Sequence, residues 1–312
     1  MTAAVISHHN CSLHDNGNVD HPECPERLDA INNRMITSGV DWITRHYDAH
    51  PATREQLLRV HDEYYVGKVY RTAPKDERTV TLDGETAMNQ YSLEAALLSA
   101  GAAVQAVDLV MDNNPAHKHV FCATRPPGHH AGHGHAAGFC IFNNVAVGAA
   151  HALEHYGLER VAVIDFDVHH GDGTEQIFSN EPRVLFCSSF QHPYYPFTGA
   201  DTHLPNMINL PMKAGTRSAE WRQAVSEKWL PALDEFQPHL IMISAGFDSH
   251  LEDDMGGFNL VEQDYVWITR ALCEIAKKHG AGRVVSCLEG GYELSSLGRS
   301  VAAHVKELAE FH

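Results

Sequence analysis

Short apolar runs alternate with longer amphipathic stretches along most of the chain. A strand that is buried on both faces reads as a continuous apolar run, as in parallel sheets. The runs that predict such strands are 3–7, 119–124, 160–168, 183–189, 239–246 and 283–290. Apolar residues recurring every three or four positions predict helices. The stretches with that period are 92–112, 142–157, 218–236 and 262–280.

This alternation of strands and helices predicts an α/β fold with a mostly parallel β-sheet flanked by helices on both faces. We expect residues 1–312 to form a single domain, because no Pro-, Gly- or Ser-rich linker divides the chain. Ser92 and Ser218 are each followed by a glutamate two residues on. They predict helix N-caps with an acidic first turn.

Polar side chains follow four of the predicted strands, where open parallel sheets bind their ligands. The segments just past the strand ends are RPPGHH (125–130), DFDVHHGDG (165–173), FDSH (247–250) and GY (291–292). The carboxyl ends of parallel strands meet at one edge of the sheet. We therefore expect these four segments to form one site.

The segment after the third strand predicts a metal site. Residues two apart in an extended segment face the same way, so Asp165, Asp167 and His169 would project together. Asp248 adds an acid after another strand. Carboxylates and an imidazole without a thiolate suit zinc, iron(II) or manganese, and three protein ligands with an open position are typical of catalysis. The alternative is a metal-free network of satisfied polar groups.

Two adjacent histidines, His129 and His130, follow the turn 125–128, which Pro and Gly make rigid. That turn could hold both imidazoles over a metal. Asp165 and Asp172 are then available to accept a proton from each imidazole. In the fourth segment Tyr292 follows two glycines, and its phenol could donate to a developing oxyanion.

Composition narrows the classes of ligand and compartment. The net charge of −17 argues against nucleic acid, because phosphate binding needs clustered Lys and Arg. We see no signal peptide in MTAAVISHH and no apolar run near the roughly 18 residues of a membrane span. The seven cysteines contain no CxxC pair. We expect buried thiols in a reducing, cytoplasmic setting.

Together these motifs resemble those of the histone deacetylase superfamily, which includes acetylpolyamine amidohydrolases and acetoin-utilisation proteins. The matching segments are 8–11, 21–28, 125–131, 138–144, 165–174, 246–249 and 289–294. The short chain looks like the compact bacterial members of the class II type. The resemblance implies an arginase/deacetylase-like three-layer fold and a single deacetylase-like catalytic domain over 1–312.

The resemblance also implies a role for each matching residue. One catalytic zinc per chain would be bound by Asp167, His169 and Asp248, with iron(II) as an alternative in the cell. The catalytic set would be His130 as general base and acid, His129 as its electrostatic pair, Asp165 and Asp172 behind them, and Tyr292. The substrate tunnel would have Phe139 and Tyr195 as walls, Gly138 as floor, Met255 at the rim, and Gly290. Arg27 would serve an acetate-exit channel, and a structural potassium would lie near Asp165, Asp167, His169 and Ser188.

The chemistry implied is hydrolysis of an amide by activated water, giving a short acid and a free amine. A narrow aromatic tunnel suits an acyl-lysine, which is our main hypothesis; an acetylpolyamine or another small acetylated amine is the alternative. Met255 stands where polyamine-specific members carry an acid. Acids that could compensate at the rim are Asp83, Glu85, Glu252, Asp253 and Asp254.

Two other classes stay open as weaker alternatives. A binuclear manganese ureohydrolase shares the sheet architecture, but this chain has His250 where that class would want a second aspartate. A non-catalytic scaffold would typically have lost the tyrosine or a metal ligand. We expect an acylated amine as partner, neither nucleic acid nor membrane, and leave a homo-oligomer open.

Overall fold

A computed structural model describes residues 3–18, 20–112 and 114–311. The strands in these ranges are β1 (Ala3–Ser7), β2 (Arg45–Asp48), β3 (Val80–Thr81), β4 (Ala87–Met88), β5 (His119–Ala123), β6 (Val161–Asp165), β7 (Val184–Gln191), β8 (Met207–Met212), β9 (Leu240–Ala245) and β10 (Val284–Leu288). The α-helices are α1 (Glu26–Thr37), α2 (Arg54–Leu57), α3 (Glu63–Thr72), α4 (Ser92–Met111), α5 (Asn144–His155), α6 (Asp172–Phe178), α7 (Ser218–Phe236), α8 (Glu262–His279) and α9 (Leu294–Glu310).

Eight strands form one sheet in the order β2-β1-β5-β10-β9-β6-β7-β8. All its pairings are parallel, so the sheet is more uniform than the mostly parallel sheet we predicted. The short strands β3 and β4 form a separate antiparallel pair. Every residue of β5, β6, β7, β9 and β10 is buried. Their apolar runs are thus explained by cover on both faces.

Helices supply that cover in two groups. α4 and α5 pack on each other and on the central strands β5, β6, β9 and β10. The second group packs side by side in the order α1, α9, α8 and α7. Within it, α9 contacts β1 and β5, α8 contacts β10 and β9, and α7 contacts β7 and β8. All seven cysteines are free thiols and six of them are buried, as expected. The predicted three-layer α/β architecture is confirmed.

Two local predictions about helix starts are wrong by one residue. Ser92 and Ser218 are the first helical residues, and the N-caps are Tyr91 and Arg217. The Ser92 hydroxyl donates to the side-chain oxygen of Asn89, and the Ser218 hydroxyl donates to a carboxylate of another helix. Both serines therefore bond outside their own first turn. The acidic first turns are present, through Glu94 and Glu220.

The expectation that no stretch is long and apolar enough for a membrane span is also wrong. By length and composition α4 qualifies, with 20 residues and a mean hydropathy of 1.5 in its most apolar window. That window is 67% buried within the protein. A helix that is apolar all round is equally typical of a protein core, and α4 packs on α5, β5 and β10.

Gly101 on α4 gives a test of this packing. A Cβ there would collide with the carbonyl oxygen of His50 and lie 2.5 Å from the amide nitrogen of Ala52. We expect Gly101→Ala to lower the free energy of unfolding by about 1–3 kcal/mol through overpacking, despite the better helix propensity of alanine. Gly67→Ala on α3 is the control, because its Cβ would meet only the end of the Arg71 side chain. Equal denaturation midpoints for the two variants would contradict this packing.

Candidate active site and metal centre

The four polar segments do meet at one edge of the sheet, where β5, β6, β9 and β10 end side by side. The strand β6 ends at Asp165, earlier than the predicted 168. The chain bends after this residue. Asp165 therefore hydrogen-bonds His129, while Asp167 and His169 face the metal cluster. The functional side chains brought together are His129, His130, Asp165, Asp167, His169, Asp172, Asp248 and Tyr292.

Asp167, His169 and Asp248 form a buried cluster whose ligand atoms all lie within 4.8 Å of one another. His169 Nδ1 lies 2.9 Å from Asp167 Oδ1 and 3.2 Å from Asp248 Oδ2. Burial, with the Asp167 carboxylate beside it, raises the pKa of Asp248 to about 7. Within the described residues Asp248 Oδ2 makes no hydrogen bond, because the nearby His169 Nδ1 is hydrogen-bonded to Asp167 Oδ1 instead. A divalent cation would satisfy this oxygen, and the donor set fits zinc.

The backbone closes tightly around this cluster. The Gly290 amide donates to Asp167 Oδ2 at 2.9 Å. A Cβ on Gly290 would collide with Asp248 Oδ2, and one on Gly246 would collide with the Asp167 carboxylate. Both positions therefore need glycine. The contact of Gly290 is with a carboxylate of the candidate metal cluster, and its predicted role toward substrate stays a prediction.

Within 3–18, 20–112 and 114–311 this is the one cluster of His, Cys, Asp or Glu side chains whose ligand atoms lie close enough to hold a metal ion. His250, which follows Asp248 by two positions, is turned away from it. The His250 Nδ1 accepts a hydrogen bond from the Glu252 amide, and its Nε2 lies 3.5 Å from Glu262 Oε2. This arrangement gives no support to the binuclear ureohydrolase alternative.

Two imidazoles lie beside the metal cluster, and their pKa values are shifted in opposite directions. His129 Nδ1 donates to Asp165 Oδ2 at 2.9 Å, and His130 Nδ1 donates to Asp172 Oδ1 at 2.7 Å. Burial alone would lower the pKa of His129, but the carboxylates of Asp165 and Asp167 outweigh it and raise that pKa well above its ordinary value. Burial, helped by the charge of His129, lowers the pKa of His130 to about 4. His130 is therefore neutral at neutral pH and able to accept a proton.

The turn that carries these histidines is held by Glu289, a residue to which we had given no role. One carboxylate oxygen accepts the amides of Gly128 at 2.6 Å and His129 at 3.1 Å, and the other accepts the Ser244 hydroxyl at 3.0 Å. Burial raises the pKa of Glu289 to about 7. Its only sequence signal was its place at the end of β10, among the strand-end polar residues.

A cavity of about 350 Å³ reaches His130 and also His169, which belongs to the metal cluster. It is lined by Glu85, His130, Gly138, Phe139, His169, Tyr194, Tyr195, Met255 and Tyr292. Gly138 and Phe139 both have positive φ, 50° and 68°, and a Cβ on Gly138 would collide with the His130 ring. The residues expected as walls, floor and rim of the tunnel thus line one cavity: Phe139, Tyr195, Gly138 and Met255. Tyr194 was not predicted; its ring stacks on that of His169, with centroids 5.6 Å apart.

Tyr292 is held against Arg27. The guanidinium carbon of Arg27 lies 5.0 Å from the centre of the phenol ring, and its Nε donates to the Gly291 carbonyl at 2.6 Å. Burial, with the Asp248 carboxylate nearby, raises the pKa of Tyr292 well above its ordinary value. The phenol therefore stays protonated and able to donate. The acetate-exit role of Arg27 stays a prediction, since the contacts described are with this turn.

Glu23 joins the two arginines that flank the site. Its Oε1 accepts a hydrogen bond from Arg27 at 3.1 Å. Both of its oxygens accept hydrogen bonds from Arg125, with a distance of 2.6 Å at Oε2. All three side chains are fully buried. Arg125 begins the segment that carries the two histidines, so one carboxylate ties the N-terminal segment to both catalytic turns.

The predicted potassium residues are also neighbours. Asp165 and Ser188 lie directly opposite each other on β6 and β7. The Ser188 hydroxyl lies 3.0 Å from His170 Nδ1. The geometry brings these residues together, and the ion itself stays a prediction.

Comparison with known proteins agrees with this geometry. The sequence matches the histone deacetylase domain over residues 21–308. The chain belongs to the histone deacetylase family. It is similar to an uncharacterized protein of Synechocystis sp., with 38% identity covering 92% of this chain and 93% of that protein. A probable deacetylase of Archaeoglobus fulgidus is 35% identical, covering 94% of this chain and 82% of the relative.

The human polyamine deacetylase HDAC10 is 36% identical over 93% of this deacetylase, which spans only 45% of the human protein. Among solved structures, the HDA15 HD domain superposes with a TM-score of 0.90 at 33% identity, covering 98% of this chain and 91% of that one. The protein is therefore a hydrolase of the deacetylase type, from a family that generally depends on zinc. The non-catalytic scaffold alternative is not supported.

The metal cluster makes a testable prediction. We expect Asp248→Ala to retain far less than one zinc per chain after dialysis, because it removes one of three ligands. Metal content by mass spectrometry measures this. Asp172→Asn is the control, since Asp172 contacts His130 and not the metal cluster. Equal zinc in the two variants would contradict the assignment of Asp248.

Proposed function

We propose that this deacetylase uses one zinc ion to remove acetyl or other short acyl groups from the ε-amine of lysine in proteins and peptides. We also propose that residues 1–312 work as a single catalytic domain. The observation that carries the proposal is the aromatic cavity, which is walled by Phe139 and Tyr195 and also lined by His130, Tyr292 and the candidate ligand His169.

The side chains support a short sequence of proton transfers. Zinc, when bound, supplies a Lewis acid that polarises the amide carbonyl and lowers the pKa of a water. His130, held at Nδ1 by Asp172, accepts the proton of the attacking water at its other nitrogen. The Tyr292 phenol donates to the oxyanion as it develops. His130 then passes its proton to the leaving amine, beside the positive charge of His129.

The rim favours lysine over a polyamine. Met255 lines the cavity where an acid would attract a distant ammonium. Of its acidic neighbours, Glu252 pairs with Arg299 at 2.7 Å, and the buried Asp253 accepts backbone amides of the tyrosine turn. These two carboxylates are therefore occupied within the protein. An uncharged methylene chain, as in acyl-lysine, suits the remaining apolar walls.

Glu85 favours the second candidate, an acetylpolyamine or other small acetylated amine. Its carboxylate belongs to the cavity lining, on the turn between β3 and β4. A second ammonium on the substrate could pair with it. The similarity to the polyamine deacetylase HDAC10 is compatible with this candidate.

A substrate panel on one preparation separates the two candidates. We expect kcat/KM to be highest for acetyl-lysine peptides or longer acyl-lysines, and lower for acetylputrescine and acetylcadaverine. Glu85→Gln should change the diamine rates most if a distal ammonium reaches this carboxylate. Asp254→Asn, an exposed neighbour of Met255, is the charge-matched control. Fastest turnover of the acetyldiamines, abolished selectively by Glu85→Gln, would replace the lysine proposal with the polyamine one.

Loss of the phenol tests the mechanism. We expect Tyr292→Phe to keep zinc and lower kcat roughly a hundredfold or more, because one oxyanion donor is lost. Tyr195→Phe keeps its ring in the cavity wall and should remain within a few-fold of the original rate. Steady-state kinetics and metal content are the measurements. Near-normal turnover of Tyr292→Phe would remove this residue from the mechanism.

A further inference from the structure

Asp253 connects the cavity rim to the turn that carries Tyr292. Its side chain is buried, with 4% exposure. One carboxylate oxygen accepts the amides of Tyr292 at 2.6 Å and Glu293 at 3.0 Å. The other accepts the amide of Met255 at 3.0 Å. Three backbone groups from two segments of the site therefore converge on one side chain.

The tyrosine turn has little stiffness of its own. Gly290 and Gly291 precede Tyr292, and Gly291 adopts φ 118°, a conformation that side-chain-bearing residues rarely take. The helix α9 begins only at Leu294. Glycines leave the backbone many alternatives, so the direction of the phenol depends on contacts made by the turn. A charged acceptor makes the strongest of such contacts with backbone amides.

Arg27 and Asp253 bind opposite kinds of backbone group in this turn, carbonyls and amides respectively. Arg27 donates to the carbonyls of Glu289 and Gly291, and Asp253 accepts the amides of the two residues that follow. The hydrogen bonds of Arg27 precede the tyrosine along the chain, and its guanidinium also lies against the phenol ring. Only the Asp253 contact, among those described for the turn, binds the peptide amide of Tyr292 itself.

We propose that Asp253 is a positioning residue, which fixes the Tyr292 phenol where it can donate to the oxyanion and keeps it in register with the rim at Met255. This inference rests on the proposed role of Tyr292. Asp253 touches neither the cavity nor the metal cluster in the contacts described. Its charge also raises the pKa of Asp248. An effect on turnover that disappears when the phenol is removed therefore distinguishes positioning of the tyrosine from that electrostatic route and from mere stabilisation of the fold.

A double-mutant cycle tests this dependence. Single-turnover rates, with enzyme in excess over an acetyl-lysine peptide, are measured for the unmodified chain, Asp253→Asn, Tyr292→Phe and the double variant. Asparagine keeps the shape but offers one acceptor oxygen, so it cannot bind all three amides. We expect Asp253→Asn to slow the unmodified chain about tenfold or more with little change in KM. In the Tyr292→Phe background we expect less than about a twofold effect.

The same fold-loss in both backgrounds would overturn the proposal, because Asp253 would then act independently of the phenol. Asp76→Asn, an exposed aspartate whose hydrogen bonds are with Arg78, should leave the rate unchanged. If Asp253→Asn does not fold, Asp253→Glu, which retains the charge on a longer side chain, replaces it in the same cycle. Zinc content and circular dichroism establish that each variant compared is folded and loaded.

Hydrogen exchange separates this proposal from the proposed function. The amides of Tyr292 and Glu293 should be protected in the unmodified chain and lose protection in Asp253→Asn, a readout that needs no substrate. Unchanged protection would overturn the proposed contact. Failure of the unmodified chain to hydrolyse any acyl-lysine would instead reject the lysine proposal, while the exchange result would still decide whether Asp253 holds the turn.

Discussion

The concentration of buried carboxylates at the carboxyl edge of the sheet is the constraint on which the rest of the site depends. Asp165, Asp167, Asp248 and Glu289 are all fully buried there. A buried charge is costly unless it is paired or hydrogen-bonded. The carboxylate oxygens of these four residues are compensated in different ways, by an imidazole, by backbone amides or by a site that could hold a cation. The placement of the histidines, the glycine turns and the metal site follows from that need.

Backbone amides do much of this compensation, and they explain the loops. Glu289 orders the histidine turn and Asp253 orders the tyrosine turn, in both cases by accepting consecutive amides. Glycine at 246 and 290 lets the main chain approach the carboxylates closely enough. Catalytic groups on loops therefore have positions as defined as those on strands, because acids on neighbouring segments hold the loops in place.

Continuous apolar runs revealed the buried strands, and the rule for strand ends revealed which polar residues would meet. It correctly brought together Asp167 and His169, which follow β6, with Asp248, which follows β9. Both edge strands were missed, since β2 reads RHYD and β8 contains Pro211, and partial exposure at an edge tolerates such residues. Glu289 had no predicted role and Asp253 was expected only as a rim acid, because both bind backbone amides, which a sequence pattern does not reveal.

The bond between Arg27 and the Gly291 carbonyl joins positions 264 residues apart. Through Glu23, the same N-terminal segment also reaches Arg125 and the histidine turn. Contacts of such long sequence separation form late in folding, since the loop entropy must be lost before they contribute. During synthesis Arg27 must wait for residues 289–291, and the strand β10, which joins the two halves of the sheet, is made just before them. Catalytic competence therefore requires that the contacts of residues 23–27 with residues 289–291 have formed.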